Sequence, residues 1–343
     1  MLKQLISAYD RLVLKQPLVT LIGLTAVIVY FLLFIPDFEL DASADSLVLE
    51  NDRSLQYYRS IREQYGSDDF LIVTYSPNDE LFSGEVLADI TRLRGELNAL
   101  EQVDSVITLL DVPLVDSPPM TLAEISRQVR TLESDDVDIV LAEKEMRQSP
   151  LYENLLVNSQ GDTTAMQVNL ASNRKLVDLI NGRDKLYAML ATNPDARTRL
   201  NDLSAQIKIE NKAQKIRLEK TIREVRGLMD GYRDKATLYL GGVPMIASDS
   251  IEFIRSDLKV FGAGVVLFIV IILAFSFKQV RWVVLPLAVC LTSAMSMMGY
   301  LGWSQWSVTV VSSNFISLLL IITLSLIIHL VVRYRELATI KPD

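Results

Sequence analysis

The chain has 343 residues, half of them hydrophobic and 22% charged, with a formal net charge of −8 and a positive mean hydropathy of +0.26. A single soluble domain seldom combines these values, so apolar and polar residues are expected to segregate along the chain. One cysteine and one histidine in the whole sequence exclude an intrachain disulfide, a cysteine metal site, a His-Glu-x-x-His zinc site and a Ser-His-Asp set in a soluble domain.

The segregation is plain. Apolar runs occupy Leu18 to Ile35, Val260 to Phe277, Val283 to Leu301 and Val308 to Val332. Each approaches or exceeds the roughly 30 Å hydrocarbon core of a bilayer when wound at about 1.5 Å per residue, which gives four candidate transmembrane helices. The first run follows Lys3, Arg11 and Lys15 and is followed by Phe34-Ile35-Pro36-Asp37-Phe38. That flank lacks a small-x-small cleavage site, so an uncleaved signal anchor is expected rather than a removed leader. Lys278 and Arg281 lie between the second and third runs, and Arg333, Arg335 and Lys341 follow the fourth. The positive-inside rule then puts both termini in the cytoplasm and residues 37–257 outside. Trp303 and Trp306, in the uncharged loop between the third and fourth runs, read either as an interfacial belt or as a packed loop.

Three segments follow: an amphipathic lead and first membrane helix over residues 1–36, an outer domain over 37–257, and three membrane helices with a short tail over 258–343. In the lead, Leu2, Leu5, Ile6, Tyr9, Leu12 and Val13 recur at helical spacing before Pro17. The outer domain carries 39 acidic and 25 basic side chains, a net of −14, which argues against nucleic acid and against docking on an anionic membrane. It alternates in type. Arg53 to Tyr65 reads as a helix and Phe70 to Tyr75 as a buried strand. A helix led by Ser83 runs to about Leu100, with Val86, Ile90, Leu93 and Leu97 as its apolar stripe, and Val103 to Leu110 returns as a strand before Pro113 and Pro118-Pro119. Strand, helix and strand within this span predict a βαβ or split βαβ unit.

Thr121-x-x-Glu124 is a capping box, and Asp135-Asp136 start a further helix. Leu155 to Asn158 and Thr163 to Ala171, around Ser159-Gln-Gly-Asp162, predict a β-hairpin. Residues 173–235 are strongly helical and break at Asn193-Pro194, a helical hairpin. Its seam includes Leu200, Leu203, Ile207, Leu218, Ile222, Val225 and Met229, interrupted by Glu210 and Gln214. The hairpin either packs on itself or reaches another subunit. Leu238 to Leu240 forms a last strand before Gly241-Gly242-Val243-Pro244, and Ser248 to Lys259 reads as an amphipathic helix continuous with the second span. Gly262 and Gly264 are expected to permit close packing where that helix meets the membrane.

Chemistry is sparse in the outer domain. Gly241-Gly242 lacks the Gly-Lys-Ser/Thr of a phosphate loop, and the carboxylates Asp68-Asp69 and Asp135-Asp136-Asp138 read more simply as solvated loops and helix starts than as ion sites. Cys290 reads as a buried packing residue. The fourth run is different, because it holds Ser312, Ser313, Asn314, Ser317, Thr323, Ser325 and the sole histidine, His329. Polar groups at membrane depth are expensive and usually face a protein interior, a water path or a relay. Ser325 and His329 share a face, which Ser317 and Asn314 roughly continue. The imidazole suits a proton relay. Equally, it can hydrogen-bond a hydroxyl or carbonyl in a helix interface.

The order of parts, with Gly241-Gly242-Val243-Pro244 ahead of the second span and Ile327-Ile328-His329-Leu330-Val331-Val332-Arg333-Tyr334-Arg335-Glu336 ending the fourth, resembles the N-terminal half of the resistance-nodulation-division (RND) superfamily, in particular its MMPL-like exporters. The resemblance covers essentially the whole chain. It implies four transmembrane helices, the last three part of a sterol-sensing-like bundle, and a large α/β periplasmic domain of the ferredoxin-like, porter type carrying the hairpin insertion. It further implies a multi-pass protein of the bacterial inner membrane that exports hydrophobic or amphiphilic molecules such as lipids. No enzymatic activity, cofactor or metal is expected. The family's relay usually includes an acidic residue on the fourth helix, often in an Asp-Tyr pair, and Ser325-Leu326 occupies that place in this chain. His329 as a substitute, a relay in a second half, and loss of pumping all remain open. Such transporters normally have two repeats, so this chain is expected to be a fragment, a split half, or a subunit that associates with itself or with a second half. The alternative function is a lipid-binding or assembly protein that keeps the architecture without the relay.

Overall fold

The computed structural model describes residues 15–41, 57, 69–117, 129–135, 137–189, 196–309, 312 and 314–340. The amphipathic lead before Lys15, the expected helix from Arg53 to Tyr65 apart from Tyr57, Pro118-Pro119, the Thr121-x-x-Glu124 box and the Asn193-Pro194 break lie outside them. The chain divides into two compact units, one formed by Met1–Asp52 with Asp249–Asp343 and the other by Arg53–Ser248.

Helix α1, Pro17–Leu32, opens on Pro17, whose missing N–H falls where no intrahelical partner exists. A 3-10 turn at Ile35–Asp37 leads into the short strand β1, Leu40–Asp41.

In the second unit, β2 (Phe70–Pro77) alternates, with Leu71, Val73 and Tyr75 fully buried. Helix α2 (Gly84–Asn98) is capped by Ser83, whose hydroxyl accepts from the Val86 amide, and its predicted stripe of Val86, Ile90, Leu93 and Leu97 faces the core. Strand β3 is only Val103–Ile107, shorter than the expected run to Leu110. The chain turns there because Asp111 Oδ2 accepts from both Thr108 N and Thr108 Oγ1, at 2.8 and 2.7 Å. Helix α3 (Ile139–Gln148) starts after Asp138, which accepts from the Val140 and Leu141 amides, rather than at Asp135; Asp136 lies outside the described residues.

The expected hairpin at Leu155 to Ala171 is corrected. Its second arm is β4, Thr164–Leu170, but its first arm is reduced to one bridge, Val157 to Thr164, because the Tyr152 carbonyl accepts from the amides of Leu155, Leu156 and Val157 and draws them into a turn. The loop forms where expected, with Asn158 Oδ1 accepting from the amides of Gly161, Asp162 and Thr163. Helices α4 (Arg174–Met189) and α5 (Ala196–Asp230) form the predicted helical hairpin, and β5 is Ala236–Gly241.

These strands form one antiparallel sheet in the order β3-β4-β2-β5. The crossover through α2 spans β4, and the crossover through the α4–α5 hairpin spans β2, so two split β-α-β units interleave. One sheet face, through Leu71, Val73, Met166, Val168 and Leu238, packs on α2 and on Ile222, Val225 and Met229 of α5. Fully burying one such side chain contributes roughly 1.5–3 kcal/mol, which makes this face the main source of the unit's stability.

The hairpin seam is closed at its polar interruption. Glu210 Oε1 accepts from Asn173 Nδ2 and Arg217, and its other oxygen meets Lys175 at 2.8 Å. Asn173 also donates to Gln214. These donors, led by Lys175, Arg217 and Asn173, hold the Glu210 carboxyl well below the carboxylate value of 4.5, at about 2. A carboxyl with a depressed folded pKa stabilises fully above its unfolded value and loses that contribution as pH falls. The hairpin is therefore expected to weaken between pH 4.5 and about 2. Thermal unfolding across this range should fall less steeply in Glu210→Gln than in the wild type; parallel curves would show that the clamp carries no such linkage.

Helix α6 runs unbroken through Val243–Phe277, as the continuous reading of Ser248 to Phe277 predicts. Lys278, at φ 52°, turns the chain into α7, Arg281–Ser304, which ends on left-handed Gln305. Strand β6, Val308–Thr309, pairs in parallel with β1, and α8 follows as Phe315–Ile340. The fourth helix therefore starts later than the apolar run. Thr309 and Ser312 bond each other's backbone and side chains in a tight turn, which competes with helix there. The helix also continues past Val332 through Arg333, Arg335 and Glu336.

Four helices in the described residues are long and apolar enough to cross a membrane. Those of the first unit pack through two buried clusters. Ile269, Leu273, Phe277 and Val331 form one, and Cys290, Ala294 and Leu320 the other, with Cys290 in the packing position expected of it. Gly262 and Gly264 make no close approach, because a Cβ at either meets nothing within 4 Å. That role belongs to Gly299 and Gly302, whose Cα positions abut the carbonyl oxygens of Phe31 and Phe34. Trp303, near the end of α7, meets Phe31 edge-on, and both it and Trp306 are exposed.

Candidate functional site

The polar residues of the fourth span are positioned by α8. At about 100° per residue, Asn314, Ser317, Ser325 and His329 fall within roughly a third of the helix circumference. Asn314 stands just before the helix, where its carbonyl accepts the Leu318 amide at 3.2 Å, so it belongs to the helix start rather than the membrane-spanning face. Ser317 is half-buried. Ser325 and His329, one turn apart, lie on the exposed side of α8 with Leu318, Ile322, Leu326 and Leu330. The opposite side, through Leu320, Leu324, Ile327, Ile328 and Val331, faces α6 and α7.

Among the described residues, neither Ser325 nor His329 has a side-chain hydrogen-bond partner. No carboxylate lies between Phe315 and Val332. The nearest, Glu336, accepts from Arg333 at 3.0 Å, an exposed pair of small energetic weight. Arg335 lies over the Phe277 ring at 5.5 Å, and Tyr334 packs on Trp282 at 5.7 Å. Tyr334 and Arg335 are thus an aromatic and basic clasp on the ends of α6 and α7, turned away from His329, whereas Arg333 and Glu336, four and seven residues on, continue the His329 face. Chemically, the face offers one exchangeable imidazole proton beside one hydroxyl, with nothing in this chain's described part covering it.

The glycine motif lies in the sheet unit. Gly241 ends β5, Gly242 adopts φ 115° and Pro244 sits in the first turn of α6. A Cβ on Gly242 would stand 2.6 Å from the Phe70 carbonyl oxygen, so the motif lets the chain leave the sheet against β2.

A second charged cluster went unrecognised in the sequence because its members are far apart. Lys235 Nζ donates to both oxygens of Asp89, at 2.8 and 2.9 Å, and Arg92 approaches the same carboxylate. Nearby Tyr75 is pushed up to about 12 by burial and then by Asp89 and Asp234. The cluster ties α2 to the start of β5, and its tyrosine stays protonated at any physiological pH. Glu145 plays a similar part, accepting the Val115 and Asp116 amides at 2.7 and 3.0 Å.

A unit of four apolar spans that packs by close glycine contact, in one chain with an antiparallel split β-α-β sheet, defines a multi-pass membrane protein. The chain belongs to the MMPL family, whose model matches residues 85–342, from α2 through the end of α8. That membership is consistent with the RND superfamily and suggests an RND-type membrane transporter. No curated protein matches the chain.

Proposed function

We propose that this protein exports hydrophobic or amphiphilic molecules, such as lipids, across or out of the bacterial inner membrane. In this reading both termini are cytoplasmic and residues 37–257 are periplasmic. The sheet of two interleaved β-α-β units is a ferredoxin-like, porter-type domain that receives the apolar ligand. It performs no bond-making chemistry. The observation that carries the proposal is the unpartnered Ser325–His329 pair on the exposed face of a membrane helix in a chain of the MMPL family. Leaving an imidazole uncovered at that depth is costly unless another helix surface or a water path meets it, which fits a second transporter half or a second copy of the chain.

The second reading, a lipid-binding or assembly protein that does not pump, is favoured by one feature. The α8 span has no carboxylate where the family resemblance implies one, and Ser325 stands in its place. The test is proton flux in sealed vesicles carrying the purified protein, with efflux of a lipid dye measured in parallel. Coupled export by the wild type that falls at least about tenfold in His329→Ala, with an altered pH profile in His329→Gln, supports the relay, since removing a proton-transfer group typically costs 10²–10⁴-fold. Export unaffected by either change removes His329 from the mechanism. No export by the wild type favours the second reading.

A further inference from the structure

Between the ends of α7 and α8 lies an open groove of about 390 Å³ lined by Arg281, Trp282 and Leu285 of α7 and by Ile327, Leu330 and Tyr334 of α8. Its α8 wall is centred on Ile327 and Tyr334, on the side turned away from His329, with Leu330 at the edge between that side and the exposed one. Its walls are apolar, and Arg281 is its only charged lining residue. The guanidinium of Arg281 lies over the Trp282 ring at 4.7 Å, and among the described residues no carboxylate pairs with it. Tyr334 meets Trp282 from the other helix, so the mouth is built from one cation and two amphipathic rings. Lys278 is three residues away on the same turn, and Arg335 stands over Phe277 nearby on α8.

We infer that this groove holds an anionic phospholipid of the surrounding leaflet, its phosphate at Arg281 and one acyl chain along Leu285, Ile327 and Leu330. Charge complementarity selects the occupant. An unpaired guanidinium presents fixed donors that match phosphate oxygens, and the aromatic ring beneath it restricts its orientation. Basic grooves between membrane helices near the interface are suited to anionic head groups, whereas a neutral apolar ligand would leave the Arg281 charge uncompensated. The tryptophan and tyrosine fit the same depth, since their rings are apolar bodies with a polar edge. The groove does not require the transport reading; it requires only that α7 and α8 lie in a bilayer. Bound there, the lipid bridges two helices that also meet at this end through Trp282 and Tyr334 and through the cluster around Val331.

The sequence supplies its own reporter, because Trp282 is one of only three tryptophans. The full chain carrying Trp303→Phe and Trp306→Phe, reconstituted in vesicles, leaves Trp282 as the fluorophore. Quenching is compared for brominated phosphatidylglycerol and brominated phosphatidylcholine at equal mole fraction. The anionic lipid is expected to associate on the order of fivefold more strongly, the ratio that one basic side chain near a membrane surface confers. Arg281→Gln should bring the ratio near one, while Arg281→Lys keeps most of it. Added salt should lower it in the unaltered site, which tests the charge dependence even if an Arg281 variant fails to insert. Millimolar glycerol 3-phosphate should not compete. Equal quenching by the two lipids, or a ratio unchanged in Arg281→Gln, overturns the site. Displacement by glycerol 3-phosphate replaces the lipid by a free phosphate and also overturns it. Absence of quenching by either lipid shows that these helices are not in the bilayer, a failure distinct from loss of selectivity. If the double variant does not fold, the quenching lost on Trp282→Phe alone gives the same comparison.

Discussion

Replacing Gly299 by Val is expected to unseat α1 from α7 and to lower the unfolding temperature of the detergent-solubilised protein by several degrees. Any Cβ at Gly299 would fall inside the contact distance of the Phe31 carbonyl oxygen and carbon, and one at Gly302 would do the same to Phe34. Both obstacles are backbone, so no rotamer change relieves them. The helices must move apart, and the edge-on contacts of Phe31 with Tyr300 and Trp303, at 5.8 and 6.1 Å, go with them. In lipid this matters more than in water, because helix association there depends on van der Waals contact and close approach rather than on hydrophobic expulsion. Overpacking of a well-fitted interface costs about 1–3 kcal/mol, and a backbone obstacle puts Gly299→Val at the upper end. Gly262→Val and Gly264→Val, where the space is open, serve as matched controls and should leave the unfolding temperature nearly unchanged. Equal loss in all three variants would mean that β-branching in a membrane helix, not the contact with α1, sets the cost. A shifted Trp303 emission in Gly299→Val alone would locate the damage at the α1 interface.

Which glycines touch another helix was hidden in the sequence. Gly262, Gly264, Gly299 and Gly302 all sit in apolar runs, and only the rotational position of each helix decides which face meets α1. Strand pairing was hidden as well. Thr163 to Ala171 reads as half of a local hairpin, yet β4 pairs over its length with β2 and β3, because the Tyr152 carbonyl gathers the amides of Leu155, Leu156 and Val157 into a turn and leaves the first arm one bridge long. Element type, by contrast, followed from periodicity, because the Val86-Ile90-Leu93-Leu97 stripe and the alternating Leu71-Val73-Tyr75 each have one face to bury. Membrane spans followed from length and composition, which are properties of a segment alone. The Ser325–His329 face was legible, since one turn separates them. The Arg281 groove was not, because Trp282 and Tyr334 come together from helices some fifty residues apart in sequence.

Gly242→Ala is expected to destabilise the sheet unit by about 3 kcal/mol, whereas Gly241→Ala costs well under half of that. The two neighbours differ in backbone, not in surroundings alone. Gly242 holds φ at 115°, outside the left-handed region that asparagine tolerates, and a side chain there is strained before any contact is counted, at roughly 1–3 kcal/mol. The added Cβ would also stand 2.6 Å from the Phe70 carbonyl oxygen and 3.1 Å from the Leu71 Cα. At Gly241 the nearest atom, the Ile72 carbonyl oxygen, is at an ordinary 3.8 Å. Relief at Gly242 requires β5 to separate from β2, and the β5 pairing includes Ile72 with Gly241 and Val73 with Leu240. Hydrogen exchange of the β5 amides, measured on the full chain in detergent, should therefore quicken in Gly242→Ala by about two powers of ten at 25 °C, the factor that 3 kcal/mol confers if exchange follows unfolding of the unit. Gly242→Asn should fare no better than Ala, which separates this site from an ordinary left-handed turn. Rescue by Asn, or protection unchanged in the Ala variant, would place φ at this junction elsewhere than 115° and leave the Gly241-Gly242-Val243-Pro244 motif without its steric basis.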